Sequence, residues 1–239
     1  MQDILRDVVR STNGFGFEVI KITATDEGCT IEAVNGERTV IMKGKTKAPV
    51  AELTGTFGIS NLGFLNGMLN LPTYQESSAT VSMSTNANNE PEEIVFKNGR
   101  SKSVYRLMAE RAIVKQPNFK APAWDVESTP TVEAVKTFKA HASVFGAISA
   151  RFKPEVQGDE LVFNIGDSAA SNHSDVVVFS ETDATGLKGG YEYPIDKVQT
   201  ALGMCANADV ELKFSEKGVA QIDVDTGLLE LSFVFPGHA

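Results

Sequence analysis

Residues 57–68, FGISNLGFLNGM, and residues 193–204, YPIDKVQTALGM, align without a gap. Phe57 meets Tyr193, Ile59 meets Ile195, Ser60 meets Asp196, Leu62 meets Val198, Gly67 meets Gly203 and Met68 meets Met204. Each segment then runs into an alternating stretch, ATVSMST in one case and DVELKFS in the other. An internal echo constrains a fold more than any single element does, because each copy is a unit with its own apolar face to bury. In a chain of 239 residues this spacing divides the sequence into two halves of ordinary domain size.

The halves read alike. Residues 3–10 place Ile4, Leu5, Val8 and Val9 on one helical face, with Arg6 and Arg10 four apart on the other. STNGFG ends this helix, with Asn13 and Gly14 suited to left-handed backbone. Residues 17–46 alternate as strands, broken by DEG at 26–28 and NGE at 35–37; Asn-Gly between β-branched runs signals a hairpin. SNLGFLNGMLNL reads as a second helix, capped by Ser60 and closed before Pro72. Its two internal glycines make it short and dependent on packing. ATVSMST, EEIVFKNGRS and KSVYRLMAE read as three more strands. Around Pro117 and Pro122 the chain reads as an extended linker. Beyond it come a strand, WDVEST, and a helix opened by Thr129 or Thr131. That helix has Val132, Val135, Phe138 and Ala142 on its apolar face and Lys136 and Lys139 on the other. AISARFKPEVQGDELVFNIGD reads as a hairpin, SDVVVFSE as a strand and PIDKVQTALGMCA as a fourth helix bearing Lys197. The closing meander turns at EKG and DTG. The expected fold is α+β, with two similar domains at 1–113 and 124–239 joined by a linker at 114–123. Each domain has two helices packed on antiparallel sheets.

Charge narrows the function. With 22 Lys and Arg against 31 Asp and Glu, the net charge of −9 excludes a protein that coats nucleic acid with a generally basic surface. Five cations nevertheless share the polar faces of helices: Arg6, Arg10, Lys136, Lys139 and Lys197. They are either solvated faces or a local phosphate-binding stripe. No apolar run reaches the roughly 20 residues that span a bilayer, and MQDILRDVVRS lacks the apolar core of a secretory signal. Cys29 and Cys205 are expected as buried free thiols. Catalytic patterns are thin. DTG at 225–227 is the aspartic-protease triplet, but one copy would need a homodimer, and the alternation around it asks for a hairpin turn. DVDTGLLE misses the spacing of a calcium loop, and GLKGG at 186–190 does not sit between a strand and a helix. His141, His173 and His238 lack metal-ligand spacing. These residues assemble no catalytic, cofactor or metal constellation, which disfavours an enzyme without deciding against one.

Several segments together resemble the DNA sliding clamps, the polymerase processivity factors, and most of all the two-domain clamps of tailed bacteriophages. DILRDVVRSTNGFGFEV resembles the family's opening helix and first strand. IEAVNGERTVIM resembles its second hairpin, ISNLGFLNGMLNL an inner helix, and KNGRSKSVYRL the strands that close a first domain. YPIDKVQTALGM, DVELKFSEKGVAQIDV and LLELSFVFPG resemble a second inner helix and the final meander. The resemblance implies a homotrimeric ring around double-stranded DNA, partnered by a DNA polymerase and a clamp loader. It implies no membrane role and a cytoplasmic location, that of an infected bacterial host if the chain is phage-encoded. Arg6, Arg10, Lys136, Lys139 and Lys197 would then face DNA. Neighbouring subunits would join through Val104, Tyr105 and Arg106 on one side and Val176, Val177 and Val178 on the other. Val34, Val40, Pro117, Phe119, Phe235 and Pro236 would line an apolar pocket for partner peptides. The family pattern is broken at residues 60–71, which carry no Lys or Arg and leave Asn61, Asn66 and Asn70 for any DNA contact. Two other readings stand beside this one: a β-rich phage structural protein with no DNA role, and a homodimeric aspartic protease using Asp225.

Overall fold

In the computed structural model, residues 1–115, 117, 119–166, 173–184 and 186–239 are described. Gln116 and Asn118 of the expected linker lie outside them. The chain divides into two compact units, Met1–Pro117 with Thr226–Leu231, and Asn118–Asp225 with Ser232–Ala239.

The first unit follows the apolar pattern closely. α1 (Gln2–Thr12) buries Leu5, Val8 and Val9. It ends where Asn13 turns extended and Gly14 and Gly16 take left-handed φ values of 91° and 78°. β1 (Phe17–Thr25), β2 (Gly28–Asn35), β3 (Ile41–Thr46) and β4 (Gly55–Ser60) follow, then α2 (Leu62–Leu69), β5 (Thr80–Thr85), β6 (Pro91–Asn98), β7 (Ser101–Arg106) and β8 (Met108–Ala109). Within this unit one antiparallel sheet runs β8-β4-β1-β2-β3 and another runs β5-β6-β7. Alternate burial along β1, at Ile20, Ile22 and Ala24, is the period-two signature of a strand with one covered face.

The second unit has β9 (Val126–Ser128), α3 (Val132–Phe145), β10 (Arg151–Gln157), β11 (Glu160–Ile165) and β12 (Asp175–Glu181). Then come β13 (Tyr193–Pro194), α4 (Ile195–Leu202), β14 (Asp209–Ser215), β15 (Val219–Asp225) and, from Ser232 on, the larger part of β16 (Leu229–Pro236). Its sheets run β12-β11-β10-β13 and β9-β14-β15-β16. Aromatic rings fill this core. Phe138 of α3 meets Phe152 and Phe163 edge-on at 5.1 and 5.0 Å, and Phe163 stacks on Phe179 at 4.4 Å.

Several local expectations are corrected or decided by the structure. α2 is capped by Asn61, not Ser60. Asn61 sits in left-handed backbone (φ 52°, ψ 57°), which Asn tolerates, and its Oδ1 accepts from the Phe64 N–H at 3.2 Å. TFGIS, not predicted as a strand, belongs to the interior strand β4. Of the two candidate caps for α3 it is Thr131 that accepts from the Ala134 N–H, at 3.1 Å. Val132 is 42% exposed rather than core, because it begins α3 before the helix settles on its sheet. The helices also recur at a different spacing from the sequence echo. α2 runs from Leu62 to Leu69 and α4 from Ile195 to Leu202, so Leu62 corresponds to Ile195 and not to Val198. A shift of three residues is close to one helical turn, so it leaves the apolar face nearly in phase and is invisible to pattern matching.

Candidate nucleic-acid interface

The five helix cations do not form one free stripe. Arg6 Nη2 donates to the Leu69 carbonyl at 3.3 Å, at the end of α2, and its other amine lies 3.6 Å from Asp3. Arg10 is ion-paired with Asp7, a carboxylate only 4% exposed that also accepts from the Thr226 hydroxyl. Lys139 reaches from α3 to the end of α4, where a Cβ on Gly203 would meet its Nζ at 2.8 Å. Arg6 stands to Lys139 at the same sequence spacing as α2 to α4, the helices they serve. In both units a cation on the first helix covers the carbonyl end of the second, where the helix dipole is negative. Lys197 is mostly covered and lies 3.2 Å from Asp196. Lys136 has its side chain 67% exposed, with only a loose 3.7 Å contact to Glu133 one turn back. α2 contributes no charge. Asn66 and Asn70 are exposed and bonded to one another, and Phe64 is 55% exposed beside the Tyr105 ring.

The expected subunit edges are open strands. β7 ends one sheet of the first unit and β12 ends one sheet of the second. On them Val104, Val176 and Val178 are 38%, 53% and 51% exposed, an unusual display of apolar side chains at sheet edges. Tyr105 and Val177 are corrections to the expected interface. Both point inward and are buried. Tyr105 donates its hydroxyl to the Ser60 carbonyl, and burial raises its phenol above the ordinary value, an effect that this bond partly offsets. Arg106 is held by Glu92 at 2.6 Å and Glu93 at 3.5 Å.

Solved structures of PCNA sliding clamps share this fold. One, the C-terminal region of FEN-1 bound to A. fulgidus PCNA, superposes with a TM-score of 0.71 at 12% identity, covering 100% of this chain and 96% of that one. This is the DNA-clamp fold. PCNA from Thermococcus kodakaraensis gives a TM-score of 0.69 at 15% identity over 100% and 97% of the two chains. A PCNA2–PCNA3 complex from Sulfolobus tokodaii gives 0.67 at 15% identity over 99% and 96%. The sequence matches no protein-family model and no curated protein.

Within the clamp fold, the expected partner pocket is only partly available. Val40 and Phe235 are core residues with no exposed surface, a second correction; Phe235 closes a run of three buried residues with Phe233 and Val234. Val34 and Phe119 are half-buried, and Pro117 and Pro236 are exposed. The first unit has a cavity of about 420 Å³ lined by Gly55, Thr56, Asn89, Glu90, Pro91 and Ala109 to Arg111, none of them an expected pocket residue. The DTG triplet forms the β15–β16 turn, in which Thr226 Oγ1 accepts from the Leu229 N–H at 3.0 Å. His141 of α3 has Nδ1 2.8 Å from Asp175 Oδ2. Lys213 is gathered by Glu211 at 2.8 Å, Asp223 at 3.2 Å and Glu127 at 3.5 Å. Burial works against its charge, but the bonds to Glu211 and Asp223 outweigh it and raise the ammonium above the ordinary lysine value. Cys29 is buried and Cys205 half-buried; both are free, and burial raises both thiols, more than Lys139 offsets at Cys205. Among the described residues no group of three or more His, Cys, Asp or Glu could hold a metal ion, and no helix is long and apolar enough to cross a membrane. The sequence reading missed Asp7, whose partner Thr226 lies near the other end of the chain, beyond any spacing rule.

Proposed function

We propose that the chain is a sliding clamp, a non-enzymatic ring that encircles duplex DNA and tethers a DNA polymerase to it. The observation that carries this is likeness to PCNA clamps over the whole of the chain. Two units per chain make three chains the number that gives six units, which is the assembly proposed. The joint is β7 of one copy added to β12 of the next, supported by the exposed valines on both edges. A net-negative protein encircling a polyanion needs few and weak contacts, since tight or base-specific ones would pin it. Lys136 is the cation best placed to supply one, with Asn66 and Asn70 as uncharged contacts from α2. One structural neighbour is a PCNA with the C-terminal region of FEN-1 bound to it. By analogy a polymerase and a clamp loader dock here through short peptides, near Val34, Pro117, Phe119 and Pro236. Phage origin and a cytoplasmic setting rest on the sequence resemblance.

Native mass tests the assembly. With chains of 25.7 kDa, the ring should run as a species of three times that mass. A monomer at every concentration, or a closed dimer, contradicts the ring.

A further inference from the structure

Among the described residues four cross-strand pairs set like charges face to face: Asp209 with Asp225 and Glu211 with Asp223 lie on β14 and β15, where Lys213 bridges the second of them, while the other two stand beside an open sheet edge. Across β6 and β7, Lys97 is directly opposite Lys102, with Arg100 in the turn between the strands. Across β11 and β12, Glu160 is directly opposite Glu181. Like charges in direct register weaken the ladder that holds them. Among the described residues, none of these four side chains has an ion pair. The other ends of the same edge strands are already neutral: Arg106 is held by Glu92 and Glu93, and Asp175 lies against His141.

We propose that these two pairs are the halves of an electrostatic latch between copies of this chain, Lys97 and Lys102 of one copy meeting Glu160 and Glu181 of the next. The proposal rests on the ring reading above and specifies its joint. Lys102 lies near the start of β7 and Glu181 at the end of β12. Antiparallel addition sets the start of one strand beside the end of the other, so it brings the unpaired cations to the unpaired anions. Parallel addition would instead bring Lys102 to Asp175 and Glu181 to Arg106, both already engaged. Val104 comes to Val176 and Val178 in the middle of the joint, giving an apolar centre with a charged rim. The same charges select the partner. Two β7 edges placed antiparallel would set Lys102 beside the already paired Arg106, and two β12 edges would set Glu181 beside the already paired Asp175, so neither like pairing supplies a counter-ion. Only a head-to-tail contact, unit one against unit two of a second copy, is complementary.

The test uses the full chain in light scattering over a dilution series at several NaCl concentrations. The variants are Lys97→Glu with Lys102→Glu, Glu160→Lys with Glu181→Lys, and all four together. Every variant keeps a like-charged pair within each hairpin, so the internal cost is unchanged; matching thermal melts establish that the fold is intact. Each half-swap is expected to raise the dissociation constant roughly tenfold or more, and the four-fold swap to return it to within about twofold of the parent. Parent association should weaken as salt shortens the Debye length. Half-swaps that associate as well as the parent overturn the latch, as do half-swaps that associate better, which would make these charges guards against edge addition. A four-fold swap as weak as either half also overturns it. If the parent assembles but ignores these charges, the latch alone fails; if the parent is monomeric throughout, the ring reading fails and the latch with it.

Discussion

Among single residues, the cations divide by what they touch. Arg6 ends on the Leu69 carbonyl and Lys139 at the C-terminal end of α4, so both serve helix ends; Lys136 reaches outward with little to hold it. Different phenotypes are expected. Lys136→Glu should leave the melting temperature nearly unchanged and weaken retention on DNA. The slope of log affinity against log salt should fall by roughly 0.9 for each phosphate no longer neutralised. Arg6→Met should cost about 0.5–1.5 kcal/mol of stability, the worth of one hydrogen bond to a helix end, with the salt slope unchanged. Measuring melting and salt slope together for both variants checks the division; equal loss of DNA retention in both contradicts it. Sequence alone could not separate Arg6 from Lys136, because periodicity says which face a side chain leaves from and not where its tip arrives. Asp7 is a second case. It lies among buried residues of α1, with Arg10 one helical turn on, and only the folded chain brings Thr226 to it.

Among the elements, the helices and most strands were legible because their periods differ and their ends carry Gly, Pro, Thr or Asn. β4 was not, since TFGIS is short and runs directly into a helix. Its neighbours β1 and β8, which make it a strand, are distant in sequence. Identification of β7 and β12 as candidate edges came from resemblance. Their exposure is a structural fact that alternation cannot give, because a buried and an open edge read alike. Val104→Asp and Val178→Asp probe that exposure. Both positions are more than a third exposed, so each change should alter monomer stability by no more than about 0.5 kcal/mol. Each should nevertheless shift the assembled species toward monomer in light scattering. A variant that keeps the parent mass on dilution would place the joint elsewhere.

For the molecule as a whole, the repeat is the feature that reaches from sequence to function. It was readable as an echo that pairs Leu62 with Val198, while the folded helices pair Leu62 with Ile195, a difference of nearly one helical turn. Two units built on one plan, each with an open edge of opposite charge character, can add to one another without a second kind of subunit. The partner pocket was the least legible part. Val40 and Phe235 were expected to line it by resemblance to the clamps, yet both are fully buried. The proposed function is topological at root: the protein holds DNA by surrounding it. The direct test incubates the protein at high concentration with open-ended linear duplex and then blocks both ends with a bulky protein. A high-salt wash follows, with bound clamp counted before and after one end is released by restriction cleavage. A ring should be retained through the wash on end-blocked DNA and be lost rapidly once an end is opened. Release at the same rate from blocked and open DNA would mean that the protein does not encircle it.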